Sequence, residues 1–163
     1  MIIRVINRQK AARPATRKIR ALLLFLMRRA RPDFARSARA GLNLLLTDDE
    51  NIRKLKLRFF EVDCVTDVIS FSSRPHAAGG RDLAAELVVN AEQACREGKR
   101  RGSIAREFAL YLAHGCDHLA GHDDRTDGAR AKMRRRELRW LREASRMRLL
   151  RGLLREWRPA ASR

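Results

Sequence analysis

The stretch SIAREFALYLAHGCDHLAGHDD, residues 103–124, decides how this chain is read. Its apolar side chains recur at helical spacing, and Gly121 has the conformational freedom to end a helix in the left-handed region. The spacing predicts a helix from about Ser103 to Ala120, with Ile104, Phe108, Tyr111, Gly115 and Leu119 on one apolar stripe. His114 and His118 fall along the border of that stripe, one turn apart, where two imidazoles can share a metal ion. Cys116 and Asp117 project from other faces. Beyond Gly121 the chain turns, so that His122, Asp123 and Asp124 are each competent to return a third ligand. Three of the 4 histidines lie in this window; His76 sits in a Pro/Gly-rich loop, residues 74–80, and has no assigned role. In H-E-x-x-H metalloproteases a Glu general base follows the first histidine. Here that position is Gly115, which disfavours peptidase chemistry. A zinc site with three protein ligands and an open position suits hydrolysis of a phosphodiester instead.

Outward from this helix, IIRVIN (residues 2–7), GLNLLLT (41–47), VISF (68–71) and ELVV (86–89) read as four strands. RKIRALLLFLMRRA (17–30) reads as a helix with Ile19, Leu22, Leu23 and Met27 at helical spacing. Thr47 and Glu50 form a T-x-x-E capping box opening a helix towards Phe59. The pattern turns helical from Ala91, breaks between Gly98 and Gly102, and resumes after Asp127-Gly128 in a last helix running into the tail. Strands followed mainly by helices predict an α+β single domain over residues 1–157, a mixed four-stranded sheet packed with helices. Residues 158–163 form a basic tail.

The 163 residues carry 37 Lys and Arg against 19 Asp and Glu, a formal charge of +18. Such an excess concentrates polyanions, so nucleic acid is the first partner and an anionic membrane the second. The densest basic run is Arg130, Lys132, Arg134, Arg135, Arg136, Arg139 and Arg142, with Lys99, Arg100 and Arg101 ahead of the histidine helix. Only 6% of residues are aromatic, and Tyr111 and the phenylalanines mostly fit core positions. RNA recognition through shape and backbone is therefore expected, without base-stacking platforms. The apolar run from Ala21 to Met27 is too short to span a membrane, and no secretory signal is readable, so a cytoplasmic protein is expected. Cys64, Cys95 and Cys116 are odd in number and lack a CxxC pair. They read as reduced, buried thiols, neither a disulfide framework nor a thiolate zinc site.

Around the histidines the sequence resembles the bacterial YbeY family, whose motif is H-G-x-L-H-L-x-G-Y-D-H. His114, Gly115, His118, Leu119, Gly121 and Asp123 match it; Asp117, His122 and Asp124 stand where the family has Leu, Tyr and His. Met133 and Glu137 keep an M-x-x-x-E step downstream. Asp63 and the run from Thr66 to Phe71 match D-x-x-T-D-V-L-S-F, and Glu86 opens the next strand as the family's acid does. The resemblance covers roughly residues 50–140. It implies a metal-dependent endoribonuclease of ribosomal RNA processing, including 16S maturation, acting on ribosomal RNA or the small ribosomal subunit. It also implies one zinc ion, or another divalent transition metal, on His114, His118 and Asp124, with His122 the alternative third ligand. Asp123 or Glu86 would then orient the reaction. The family's phosphate-directed Arg corresponds to Phe60, with Leu57 for its Asn, and Arg58 is the candidate substitute. A rival reading is a non-catalytic ribosome assembly factor with a structural metal.

Overall fold

Alternation along the short apolar strands determines which sheet face each side chain meets. The computed structural model describes residues 1–72 and 84–157; the loop at 74–80 and the tail at 158–163 fall outside them. In chain order the elements are β1 (Ile2–Asn7), β2 (Ala12–Pro14), α1 (Thr16–Ala30), α2 (Pro32–Arg36), β3 (Gly41–Thr47) and α3 (Asp49–Phe60). There follow β4 (Val68–Ser72), β5 (Ala84–Asn90), α4 (Ala91–Arg100), α5 (Ile104–Leu119), α6 (Asp127–Arg146) and β6 (Leu154–Glu156). The main sheet has the order β1-β3-β5-β4. β1, β3 and β5 run parallel, and β4 joins β5 antiparallel. The fold is the α+β, mixed four-stranded architecture expected.

In β3, Leu42, Leu44 and Leu46 point into the main core with Ala85, Leu87 and Val89 of β5. Ile19, Leu22, Leu23 and Leu26 of α1 and Phe108 and Leu112 of α5 close over them. The opposite face carries a small cluster of Ile52, Ile69 and Val88 beneath α3. Helix α5 is enclosed on almost every side: Glu107 to Ala113 and Gly115 to Asp117 are all buried. The single stripe expected for this helix is thus corrected. It is the central helix, enclosed by α1, α4, α6 and the sheet, and only His114, His118 and its N-terminal turn reach a surface. Gly115 makes that enclosure possible, because a Cβ there would meet Leu87 Cδ2 at 2.7 Å and Val68 Cγ2 at 2.9 Å.

Several local expectations are corrected. Thr47 does not cap α3; it is the last residue of β3, opposite Asn90. Asp48 is the cap, accepting the Asn51 backbone N–H at 2.9 Å. The last helix stops at Arg146, where Arg148 takes a positive φ of 58°. Buried Leu153 and Leu154 then draw the chain back so that β6 pairs antiparallel with β2. Cys95 and Cys116 are buried as expected, whereas Cys64 is exposed. Burial raises the pKa of both enclosed thiols, and the Asp117 carboxylate beside Cys116 adds to the effect, so both stay neutral. Among the described residues no helix is long and apolar enough to cross a membrane.

Candidate metal centre

The end of α5 builds the site. His114 and His118 are one turn apart, and their Nε2 atoms lie 3.1 Å from each other. Each ring is oriented from behind. His114 Nδ1 lies 2.7 Å from Oε1 of Glu137 on α6, and His118 Nδ1 donates to the backbone carbonyl of His122 at 2.9 Å. With both Nδ1 atoms engaged as N–H donors, both Nε2 lone pairs face the same point, an arrangement that a cation relieves. Gly121, at φ +89°, turns the chain so that Asp124 returns, its Oδ2 3.8 Å from His114 Nε2. One ligand atom from each of His114, His118 and Asp124 lies within 4.8 Å of the others. A tetrahedral site with arms of about 2.0–2.1 Å has ligand edges of about 3.3–3.4 Å, so this donor set fits a zinc-sized ion.

The surrounding charge favours a cation as well. Burial acts to lower the His114 pKa, but the hydrogen bond to Glu137 and the charges of Glu137, Asp67 and Asp124 outweigh it and leave the pKa raised. Glu137 is buried, and its carboxylate fixes the imidazole orientation. Glu137→Gln is expected to weaken zinc binding about 10–100-fold while leaving the fold intact, measured by competition with a chromophoric chelator. Unchanged affinity would remove Glu137 from the site.

The loop after α5 is anchored by a buried carboxylate. Asp117 is fully inaccessible and accepts from Arg136 Nε at 2.8 and 3.0 Å. Its Oδ1 also lies 3.0 Å from His122 Nδ1. The His122 ring is therefore turned onto Asp117, and its contribution to the trio is the carbonyl that holds His118. Of the two third-ligand candidates, the geometry brings Asp124 to the histidines.

The three residues that the sequence offers as catalytic groups are not gathered there. Asp123 is exposed, with Oδ1 accepting from the Arg125 backbone N–H in its own turn. Glu86 shares a sheet face with its cross-strand partner Phe71, while Leu87 meets α5; it accepts from Asn43 on the side away from the histidines. Arg58 is exposed with its guanidinium over the Phe59 ring. Two open recesses of about 330 and 400 Å³ meet at the trio, and both are lined by Asp67, His114 and Asp124. One adds Arg130, Arg134 and Glu137; the other adds Lys56, Phe60 and Ser70. Lys56 and Phe60 are four residues apart on α3, a spacing that puts them on one helix face and could have nominated Lys56 from sequence. Asp67 is flagged in sequence by its place in the Thr66–Phe71 match alone, and its approach to the trio depends on β4 lying beside α5.

The phenylalanines also divide. Phe25, Phe34 and Phe108 are buried, but Phe59 and Phe60 are 54% and 50% exposed and pack on Phe71. Phe59 and Phe60 are the exceptions to the core placement expected for most of the aromatic residues. Likewise Arg136 is committed to Asp117, and Lys99, Arg100 and Arg101 are paired with Glu156, Glu97 and Glu107.

Comparison with known proteins identifies the family. The family model described as Endoribonuclease YbeY matches residues 4–145. A Moorella thermoacetica protein named Endoribonuclease YbeY is 31% identical over 141 residues, 81% of this chain and 90% of its own length. One from an Anaeromyxobacter species is 31% identical over 98% of this chain and 79% of its own, and one from Salinibacter ruber 35% identical over 61% and 68%. The solution structure of a Thermotoga maritima protein aligns over 99% of this chain and 100% of its own with a TM-score of 0.59 at 19% identity, a likeness of fold. The chain belongs to the Endoribonuclease YbeY family.

Proposed function

We propose that this protein is a zinc-dependent endoribonuclease of ribosomal RNA, acting in the cytoplasm on 16S precursor RNA or the small ribosomal subunit. The observation that carries the reading is the trio His114, His118 and Asp124, with both histidine Nδ1 atoms already bonded. A zinc ion held there would supply Lewis acidity towards a phosphoryl oxygen and acidify a water near neutral pH. Glu137 keeps the His114 ring oriented, and the His122 carbonyl does the same for His118. Asp67 faces the trio from the end of the β4 approach and is the carboxylate best situated to orient an attacking water. That role replaces the ones offered for Asp123 and Glu86. Lys56, half-buried on the recess wall, supplies the cation for the phosphate that the sequence seeks in Arg58.

The test uses the purified protein, its metal content and its cleavage of ribosomal RNA before and after chelation. About one zinc ion per chain is expected, with cleavage lost on chelation and restored by zinc. Cleavage indifferent to chelation would overturn the metal-dependent reading. Bound metal without cleavage would favour a non-catalytic assembly factor, a reading for which Phe60 in the recess, where the family pattern has an Arg, is the supporting observation.

A further inference from the structure

Six of the ten basic residues that stand out in sequence are engaged in ion pairs, whereas Arg142 joins four further arginines that are not. At the N-terminal end of α5, a cleft of about 910 Å³ opens between that end, the C-terminal part of α6 and residues 148–152. Arg106, Arg142, Arg146, Arg148 and Arg151 line it, and no acidic residue does among the described residues. All five are exposed, and none forms an ion pair among the described residues. Five like charges converging on one concavity repel one another, which disfavours the folded chain unless a polyanion offsets them. Guanidinium groups suit that task through paired hydrogen bonds to phosphate oxygens.

The cleft and the metal centre lie towards opposite ends of the same α5–α6 seam. Along α5 and its N-cap, Ser103, Arg106, Leu110 and His114 follow one another at spacings of three, four and four, a single stripe. On α6, Arg130, Arg134, Leu141 and Ser145 form the facing stripe. Leu110, Arg130 and Arg134 line the recess at the trio, while Ser103, Arg106, Leu141 and Ser145 line the arginine cleft. One seam between α5 and α6 therefore joins them. Arg106 and His114 stand eight positions apart, about 12 Å of helix.

We infer that the arginine cleft is a phosphate-binding subsite for the RNA strand, holding backbone next to the segment presented to the trio. It rests on the nuclease reading for the identity of the strand. Backbone contacts of this kind position a strand without reading its sequence. A concave cleft aligned with the trio suits a strand better than a flat bilayer surface.

The test measures binding of a fluorescein-labelled single-stranded RNA by anisotropy across a salt series. Arg106→Ala with Arg146→Ala is expected to weaken binding about tenfold and to reduce the slope of log K against log salt by about 1.4, the value for two single-strand phosphate contacts. Arg142→Ala with Arg151→Ala should do the same, which guards against a folding defect peculiar to one variant. Arg17→Ala with Arg20→Ala, two exposed arginines on α1, should leave the slope at its wild-type value. Equal losses in the α1 and cleft variants would overturn the subsite in favour of diffuse charge. So would unchanged RNA binding accompanied by lost binding to phosphatidylglycerol vesicles, which would identify a membrane contact. If wild-type protein binds RNA with the expected slopes but does not cleave it, the nuclease reading fails and the cleft stands.

Discussion

His118→Ala is expected to abolish zinc retention and to reduce cleavage of ribosomal RNA by at least about 10³-fold. The figure follows from the several kcal/mol that a catalytic metal contributes to transition-state charge stabilisation, at about 1.36 kcal/mol per tenfold in rate. The substitution removes the Nε2 that lies 3.1 Å from its partner on His114, leaving one imidazole and the Asp124 carboxylate. It also frees the His122 carbonyl, so the loop bearing Asp124 loses one of its ties to α5. The helix itself should persist, because alanine is the strongest helix former and His118 is only half-buried. Circular dichroism, metal analysis and RNA cleavage on the same preparation distinguish loss of the ion from loss of the fold. A folded variant that cleaves like the wild type would exclude the trio from the chemistry.

Gly98→Ala is expected to destabilise the protein by about 3 kcal/mol or more, a larger effect than ordinary overpacking. Gly98 is buried near the end of α4, where the chain doubles back into α5. A Cβ there would stand 2.4 Å from Ile104 Cα and 2.8 Å from Ile104 N. These are backbone atoms at the first turn of the central helix, so relief requires moving α4 relative to α5. Gly115→Ala meets side-chain methyls, Leu87 Cδ2 and Val68 Cγ2, which shift at less cost than backbone does. Chemical denaturation should therefore rank Gly98→Ala well below Gly115→Ala in stability. The reverse order would mean that the α4–α5 turn adjusts more readily than the contact of α5 with the sheet.

How much of this is legible in the sequence depends on the range of the interaction. The strands at 2–7 and 41–47, the histidine helix and the Gly121 turn are readable because each follows from neighbours a few residues away. The sequence places the cap of α3 one residue early, since Thr47 and Asp48 are both competent and only the length of β3 assigns Thr47 to the sheet. It points Glu86 towards the site, although strand alternation turns that side chain to the other face. The basic run at Lys99, Arg100 and Arg101 has the look of a binding surface in one dimension, but in three Glu97, Glu107 and Glu156 meet it. Of the unpaired arginines of the cleft, Arg142 falls in the basic run of α6, while Arg106, Arg146, Arg148 and Arg151 come from α5, the end of α6 and the turn after it, and only the fold gathers them.

The sequence by itself determined the imidazole pair one helical turn apart at His114 and His118, because a regular helix converts a four-residue interval into a distance. It also determined the family, through residue types kept in order. Tertiary structure decided which residues surround that pair: Glu137 behind one ring, the His122 carbonyl behind the other, Asp124 in front and Asp67 across from it. Those choices depend on how α6, β4 and the loop after Gly121 pack around a helix buried on nearly every side. Separations through space between residues distant along the chain follow from that packing, and no local periodicity encodes them.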